Sequence, residues 1–214
     1  MKGIAFGTKD WRLETLTVGP LMMNAYLLWS ESAGEAALID PGDEGDRLLA
    51  AVDAVGCRLS MLLCTHGHFD HISAAADIQA RWDLPILHHP DDAFLFDGLD
   101  QIRSAYGFPP VAHPRRAELA VGSLPFAGGE LGVVHVPGHC PGHVMYTAGS
   151  HALVGDVVFH ESIGRTDLPG GDFETLAASI RNCVYSMNDE TVLHPGHGPI
   201  TSVGYEKASN PFVR

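Results

Sequence analysis

Residues 64–73 read CTHGHFDHIS, and this stretch places three histidines and one aspartate close together. Its spacing, H-x-H-x-D-H, is formed by His66, His68, Asp70 and His71. The chain has 13 histidines among 214 residues, so chance is a poor explanation for such a cluster. Imidazole and carboxylate side chains at this density are typical of a metal site. The prediction therefore requires further ligands elsewhere in the chain.

Three later motifs supply candidate ligands. His139 lies in VPGHCPGH (136–143), Asp156 in LVGDVVF (153–159) and His197 in LHPGHGP (193–199). Each follows an apolar run that is typical of a strand and lies in or beside a turn. Such positions gather at one edge of a sheet, where strands hold ligands rigidly and loops leave the site open.

The complete candidate set is too large for one tetrahedral ion and suits two ions that share a bridging carboxylate. Asp156 is the natural bridge, because a carboxylate has two oxygens. The ligand types suit zinc, with iron or manganese as alternatives. Two close metals can generate a hydroxide at neutral pH and stabilise the oxyanion that it creates. The predicted ligands are His66, His68, Asp70, His71, His139, Asp156 and His197.

The hydrophobic pattern predicts strands and helices in alternation. Predicted strands cover 24–30, 35–42, 58–64, 85–89, 130–136, 143–148, 151–159 and 191–194. Predicted helices lie within 43–57, 72–82 and 91–106, after the N-cap residue Asp172, and in 202–208. This order indicates an α/β or α+β fold, and two mixed sheets packed face to face with helices outside would fit it.

Composition and charge narrow the possible partners. The formal net charge of −13 disfavours nucleic acid, which is bound through Lys and Arg, and favours bound cations. The four cysteines form no C-x-x-C pair, which indicates free thiols. We find no apolar run long enough to cross a membrane and no signal-peptide pattern, and so expect a cytoplasmic protein without a membrane partner. The sequence is compatible with a homodimer, and the oligomeric state is left open.

The motifs THGHFDH, GHCPGH, GD at 155–156 and PGHGP resemble the ordered motifs of the metallo-β-lactamase superfamily. The resemblance implies a single domain over 1–214 with a four-layer αββα sandwich and the metals at its edge. It implies that His66, His68 and His139 hold a first ion. It assigns Asp70, His71 and His197 to a second ion, with Asp156 between the two. Asp70 and Asp156 are thereby the predicted catalytic carboxylates.

The segments IDPGD (39–43), GRTDLPGGD (164–172) and GYEKASNPFVR (204–214) are similar to short glyoxalase II-like hydrolases. This implies hydrolysis of a small-molecule thioester such as S-lactoylglutathione. We expect the chain to lack the C-terminal helical domain that full-length glyoxalase II uses for glutathione. By the same resemblance Arg165 binds an anionic part of the substrate, although it could instead pair with Asp167 or Asp172.

Proteins with other functions could use the same set of candidate ligands. GRTD also resembles persulfide dioxygenases, which would use one iron on His66, His139 and Asp156. A β-lactamase, a nuclease and a non-catalytic metal-binding module are less compatible with the charge, the missing export signal and the open ligand set. His143 is either a supporting group of the site or a loop histidine. His160 and Cys140 are expected at the surface and in the core, respectively.

Overall fold

The computed structural model describes residues 3–7 and 10–214. A seven-stranded sheet, here the N-terminal sheet, has its strands side by side in chain order. The first four strands pair antiparallel and the last three join in parallel. Its strands are β1 (Ile4–Ala5), β2 (Trp11–Val18), β3 (Met23–Ser30), β4 (Glu35–Ile39), β5 (Arg58–Leu63), β6 (Ile86–His88) and β7 (Arg116–Glu118).

A six-stranded sheet, here the C-terminal sheet, has the order β15-β14-β11-β10-β9-β8. Its strands are β8 (Gly122–Phe126), β9 (Gly129–His135), β10 (Val144–Ala148), β11 (His151–Gly155), β14 (Val192–Pro195) and β15 (Thr201–Ser202). Strands β11 and β14 run parallel, and the other neighbours are antiparallel. A small separate hairpin is formed by β12 (Val158–Phe159) and β13 (Ser162–Ile163).

Seven α-helices are found in the described part of the chain. They are α1 (Gly45–Val55), α2 (Phe69–Ile72), α3 (Ala75–Gln79), α4 (Ala93–Asp97), α5 (Leu99–Ala105), α6 (Phe173–Ser179) and α7 (Val203–Ser209). Helix α6 continues into one π-helical turn, Ile180–Val184. None of the helices within residues 3–7 and 10–214 has the length and apolar character that a bilayer crossing requires.

Three layers of buried side chains hold the sheets and helices together. The central layer lies between the two sheets, where Tyr26 and Leu28 of β3 share a cluster with Tyr146 and Leu153 of the C-terminal sheet. A second layer packs α1 and α3 on the N-terminal sheet, and a third packs α6 and α7 on the C-terminal sheet. Helix, sheet, sheet and helix thus form four layers, which confirms the predicted αββα sandwich.

Two predicted helices are interrupted. The helix expected over 72–82 is reduced to α3, and Ile72 instead ends α2, because the N–H of Ala74 donates to the carbonyl of Pro41 at 2.9 Å instead of continuing the helical ladder. The helix expected over 91–106 is divided into α4 and α5 at Gly98. Strand β2 was not predicted, although its buried positions largely alternate along WRLETLTV.

Candidate metal centre

Parallel strand pairs bring the predicted ligands to one edge of the sandwich. His66 follows β5, and Asp40 follows its parallel neighbour β4. Asp156 directly follows β11, and His197 follows the parallel neighbour β14. His139 lies in the loop between β9 and β10. The carboxyl ends of parallel strands meet at the same edge of a sheet, and for this reason residues far apart in sequence lie together.

The first predicted triad is assembled by the fold. His66, His68 and His139 each offer a ring nitrogen, and these nitrogens lie within 4.8 Å of one another. His68 Nδ1 is 2.8 Å from His139 Nε2. All three side chains are buried. These positions match one ion held by three imidazoles.

The second triad lies beside the first. Asp70, His71 and His197 also offer ligand atoms within 4.8 Å of one another. His197 Nε2 is 3.2 Å from Asp70 Oδ2, and His71 Nε2 is 3.9 Å from the same oxygen. His71 is fully buried, whereas the His197 side chain is 28% exposed and faces the entrance.

Asp156 touches both triads. Its Oδ1 is 3.5 Å from His71 Nε2, and its Oδ2 is 3.6 Å from His139 Nε2 and 3.7 Å from His197 Nε2. A carboxylate in this position can share its two oxygens between two ions. The seven predicted ligands therefore occupy a single site, and Asp156 lies at its centre.

The outer nitrogen of several rings is held by an acceptor. His71 Nδ1 lies 3.0 Å from Asp40 Oδ2, His139 Nδ1 lies 2.7 Å from the carbonyl of Arg165, and His197 Nδ1 lies 3.1 Å from that of Leu21. Carbonyl and carboxylate oxygens accept hydrogen bonds, so each Nδ1 carries the hydrogen. The opposite nitrogen then turns its lone pair towards the site, as a metal requires.

Unpaired buried atoms test whether ions fit the site. Among the residues that the structure describes, His66 Nε2, His71 Nε2 and Asp156 Oδ1 are buried without a hydrogen-bond partner, as is His68 Nε2. Leaving such groups unpaired costs about 1–3 kcal/mol each. Metal ions would satisfy lone pairs of this kind, and the donor set of imidazoles and carboxylates is one that zinc, iron and manganese accept.

The comparison with known proteins agrees with this geometry. The family model of the metallo-beta-lactamase superfamily matches residues 18–197.

The chain belongs to the metallo-beta-lactamase superfamily.

Individual relatives extend the similarity to nearly the whole chain. Hydroxyacylglutathione hydrolase GloC of Haemophilus influenzae is 37% identical over 207 residues, which cover 94% of this chain and 97% of GloC. The crystal structure of TTHA1623 in a di-iron-bound form has a TM-score of 0.85 at 40% identity and covers 94% of this chain and 100% of that one. The BLEG-1 B3 metallo-beta-lactamase has a TM-score of 0.86 at 34% identity, with coverage of 94% and 99%.

The carboxylates around the candidate metal site favour a bound cation. Burial opposes protonation of His71, but the carboxylates of Asp156, Asp40 and Asp70 outweigh it and raise the pKa of His71 to about 10. Burial, with smaller contributions from neighbouring rings, holds the pKa of His66 well below its usual value. A divalent ion would supply at this point the positive charge that the carboxylates attract.

Two supporting aspartates were not predicted from the sequence. Asp40 is buried, accepts from the N–H and hydroxyl of Thr65 at 2.6 and 2.9 Å, and also contacts His71. Asp92 is buried and accepts from the N–H groups of Gly67 at 3.0 Å and Gly142 at 2.6 Å. Asp92 thereby ties the loop of His66 and His68 to the loop of His139. The position of Asp40 after an apolar strand was the signal that could have identified it.

Three residues with open roles now have positions. His143 is fully buried, accepts from the N–H of Asp156 at 3.0 Å and stacks on His66 with ring centroids 4.7 Å apart, so it supports the site. His160 is exposed and stacks on Tyr205. Cys140 is buried against Asp92, and burial raises the pKa of its thiol well above the usual value. Cys140 is therefore a neutral core thiol.

A cleft of about 740 Å³ opens onto the ligands. His68, Asp70, His139, Asp156 and His197 contribute to its floor. This volume is within the range of small-molecule sites.

Arg165 lines the same cleft, but its guanidinium pairs with Asp167 through two contacts of 2.7 and 2.8 Å. The sequence had left this pairing open. Substrate binding by Arg165 stays a prediction.

Proposed function

We propose that the protein is a binuclear metal-dependent hydrolase of thioesters, with S-lactoylglutathione as a representative substrate. The observation that carries the proposal is the position of Asp156, within 3.7 Å of ring nitrogens from both triads. Both metal ions are expected to be zinc, with iron or manganese as alternatives. The likeness to a hydroxyacylglutathione hydrolase and to a di-iron protein supports this choice.

The reaction is hydrolysis of the carbon–sulfur bond. Bound ions would supply a hydroxide nucleophile at neutral pH and positive charge beside the developing oxyanion. The oxygen of water joins the carbonyl carbon, the C–S bond breaks with its electron pair on sulfur, and carboxylate, thiol and one proton are released. A thiol has a pKa of about 8.5, so it can leave as thiolate without a dedicated general acid.

The protein's own residues position these groups. Asp40 orients the His71 ring, the carbonyl of Arg165 orients His139, and His143 holds the backbone of Asp156. The cleft above the ligands admits the thioester to the edge of the sandwich. Mutation of residues that support metal ligands in this way typically lowers metal affinity or activity 10- to 100-fold.

Metal analysis, combined with assays of thioester hydrolysis, oxygen uptake and β-lactam turnover, tests the proposal. Protein purified without added metal and then metal-loaded should hold about two ions per protomer and hydrolyse S-lactoylglutathione. Chelation should abolish the activity, and metal should restore it. Full activity with one ion at most would reject the binuclear form.

Oxygen uptake with glutathione persulfide on a single iron would favour the dioxygenase alternative. Turnover of a β-lactam without any thioester hydrolysis would favour a lactamase, the activity named for the BLEG-1 structure.

A further inference from the structure

The cleft above the ligands has two apolar walls. One wall is formed by α4, α5 and the residue that follows α5, and the other by the loop over 164–172. The apolar side chains that line these walls are Phe94, Leu95, Ile102, Tyr106, Leu168 and Pro169. Two of them are large and open to solvent, since Phe94 is 43% and Tyr106 is 45% exposed. Large apolar side chains gathered at the mouth of a cleft typically mark a binding surface.

The loop over 164–172 is closely packed at Gly170. A Cβ on Gly170 would lie 2.7 Å from Pro141 Cδ, closer than a side chain allows, and 3.4 Å from Phe94 Cζ, which is an ordinary contact distance to α4. Gly170 also has φ of +88°, a conformation that side chains with a Cβ rarely adopt. The apolar surface is therefore a built part of the fold.

The charge of the cleft does not match an anionic substrate group. Within residues 3–7 and 10–214, Arg165 is the one Lys or Arg side chain that lines it. Asp167 already pairs with this guanidinium and raises the pKa of Arg165 further above its usual value. The two carboxylates of a glutathionyl group thus meet no unpaired Lys or Arg among the described lining residues. An apolar group, by contrast, meets both walls directly.

We propose that the cleft selects thioesters by an apolar acyl chain and not by the charges of glutathione. This inference rests on the proposed thioester hydrolysis and names the substrate class for that site. Burial of each further methylene is worth about 0.8 kcal/mol, which corresponds to about three- to fourfold in affinity. Since the chain is bound in both ground and transition states, the gain appears in KM and kcat/KM.

A chain-length series tests the proposal. Acetyl, butanoyl, hexanoyl and octanoyl thioesters of N-acetylcysteamine, a small neutral thiol, are compared with the same acyl groups on glutathione. We expect kcat/KM to rise about three- to fourfold per methylene, with little difference between the two thiols. A flat series, or a tenfold or larger gain from the glutathionyl group at every chain length, would overturn the proposal.

Matched phenylalanine variants locate the effect. Phe94→Ala removes one cleft wall contact, whereas Phe212→Ala removes a side chain that is 52% exposed and does not belong to the cleft lining. The rise with chain length should be reduced in Phe94→Ala and unchanged in Phe212→Ala, which should also keep the acetyl thioester turnover of the unchanged protein. Equal slopes in the two variants would contradict a role for this wall.

A binding measurement separates this inference from the proposed function. Non-hydrolysable ethyl and octyl thioethers of N-acetylcysteamine are titrated into the protein by calorimetry. Stronger binding of the octyl compound, weakened by Phe94→Ala, would support the apolar site even if no thioester were hydrolysed. Absence of thioester hydrolysis would reject only the proposed hydrolase activity. Equal binding of the two thioethers, or no binding of either, would reject the apolar site.

Discussion

His71 Nδ1 lies 3.0 Å from Asp40 Oδ2, and both side chains are completely buried. The same carboxylate also accepts from the backbone N–H and the hydroxyl of Thr65, the residue before His66. The Thr65 hydroxyl in turn lies 3.0 Å from His66 Nδ1. Asp40 therefore orients one predicted ligand of each ion, although it is not itself in either triad.

We expect Asp40→Asn to weaken metal binding. An amide has one acceptor oxygen, so its NH₂ group must face either the His71 ring or the N–H of Thr65. The buried mismatch costs about 1–3 kcal/mol, and loss of ring orientation should reduce metal affinity about 10- to 100-fold. Chelator competition with element analysis measures this. Asp53→Asn, which alters an exposed ion pair with Arg81, should leave affinity unchanged. Equal affinities for both variants would contradict the role of Asp40.

Asp156 and His197 should differ in their effect on metal content. Asp156→Ala removes a group that contacts both triads, so we expect loss of both ions and of activity. His197→Ala affects the second triad alone and should leave about one ion with reduced hydrolysis. Element analysis and thioester assays on both variants check this. Full activity of His197→Ala with one bound ion would favour the mononuclear dioxygenase.

Gly196→Ala should displace the bridging carboxylate. An added Cβ would overlap Asp156 Oδ1 and lie 2.8 Å from His71 Cε1. We expect a clear loss of bound metal at an otherwise folded site. Gly198→Ala is the control, because its Cβ meets no atom within 4 Å in the described structure and its only penalty is a φ of +75°. Metal content measured for the two variants should differ; the same loss in both would show that overlap with Asp156 is not the cause.

Arg165→Ala decides between two roles of the guanidinium. Since Asp167 already matches the charge, we expect similar small losses of kcat/KM on anionic glutathione thioesters and neutral N-acetylcysteamine thioesters. Arg81→Ala, which breaks a surface pair with Asp53, provides the comparison. A rise in KM of about tenfold or more that is confined to the anionic substrates would restore the substrate-binding role predicted from the sequence.

His194 should make the protein less stable in acid. Burial, aided by His151, lowers the pKa of His194 from 6.5 to about 3. Below pH 6.5 the unfolded chain takes up a proton that the folded chain does not, so stability falls as pH drops towards 3. Between pH 7 and 5 this contributes a loss of about 2 kcal/mol.

Urea unfolding of chelated protein at pH 7 and pH 5 measures the His194 effect. His194→Gln should lose less stability over that interval than the unchanged protein does. His160→Gln, at an exposed histidine, is the control and should behave like the unchanged protein. Identical pH dependence in all three proteins would show that His194 does not contribute.

The sequence by itself determined the candidate ligand set and the fold class. The candidate ligands occur in short motifs that follow apolar strands, so local spacing was enough to select all seven residues that the structure brings together, from His66 to His197. Repeated strand and helix patterns were also local and indicated an α/β or α+β fold, and the family resemblance of the motifs implied the two-sheet sandwich that the structure confirms. Strand β2 was missed, and Ser73 and Ala74 interrupt a helix because a carbonyl from the loop at Pro41 takes the N–H of Ala74.

Only the tertiary structure decided how the ligands are supported. Asp40 reaches His71 across 31 positions, and Asp92 reaches Gly142 across 50. The apolar walls of the cleft likewise combine residues of α4 and α5 with residues of the loop over 164–172. Hydrogen bonds and shared surfaces between distant segments exist only once the sheets have brought those segments together. No local spacing encodes them, because they arise from packing.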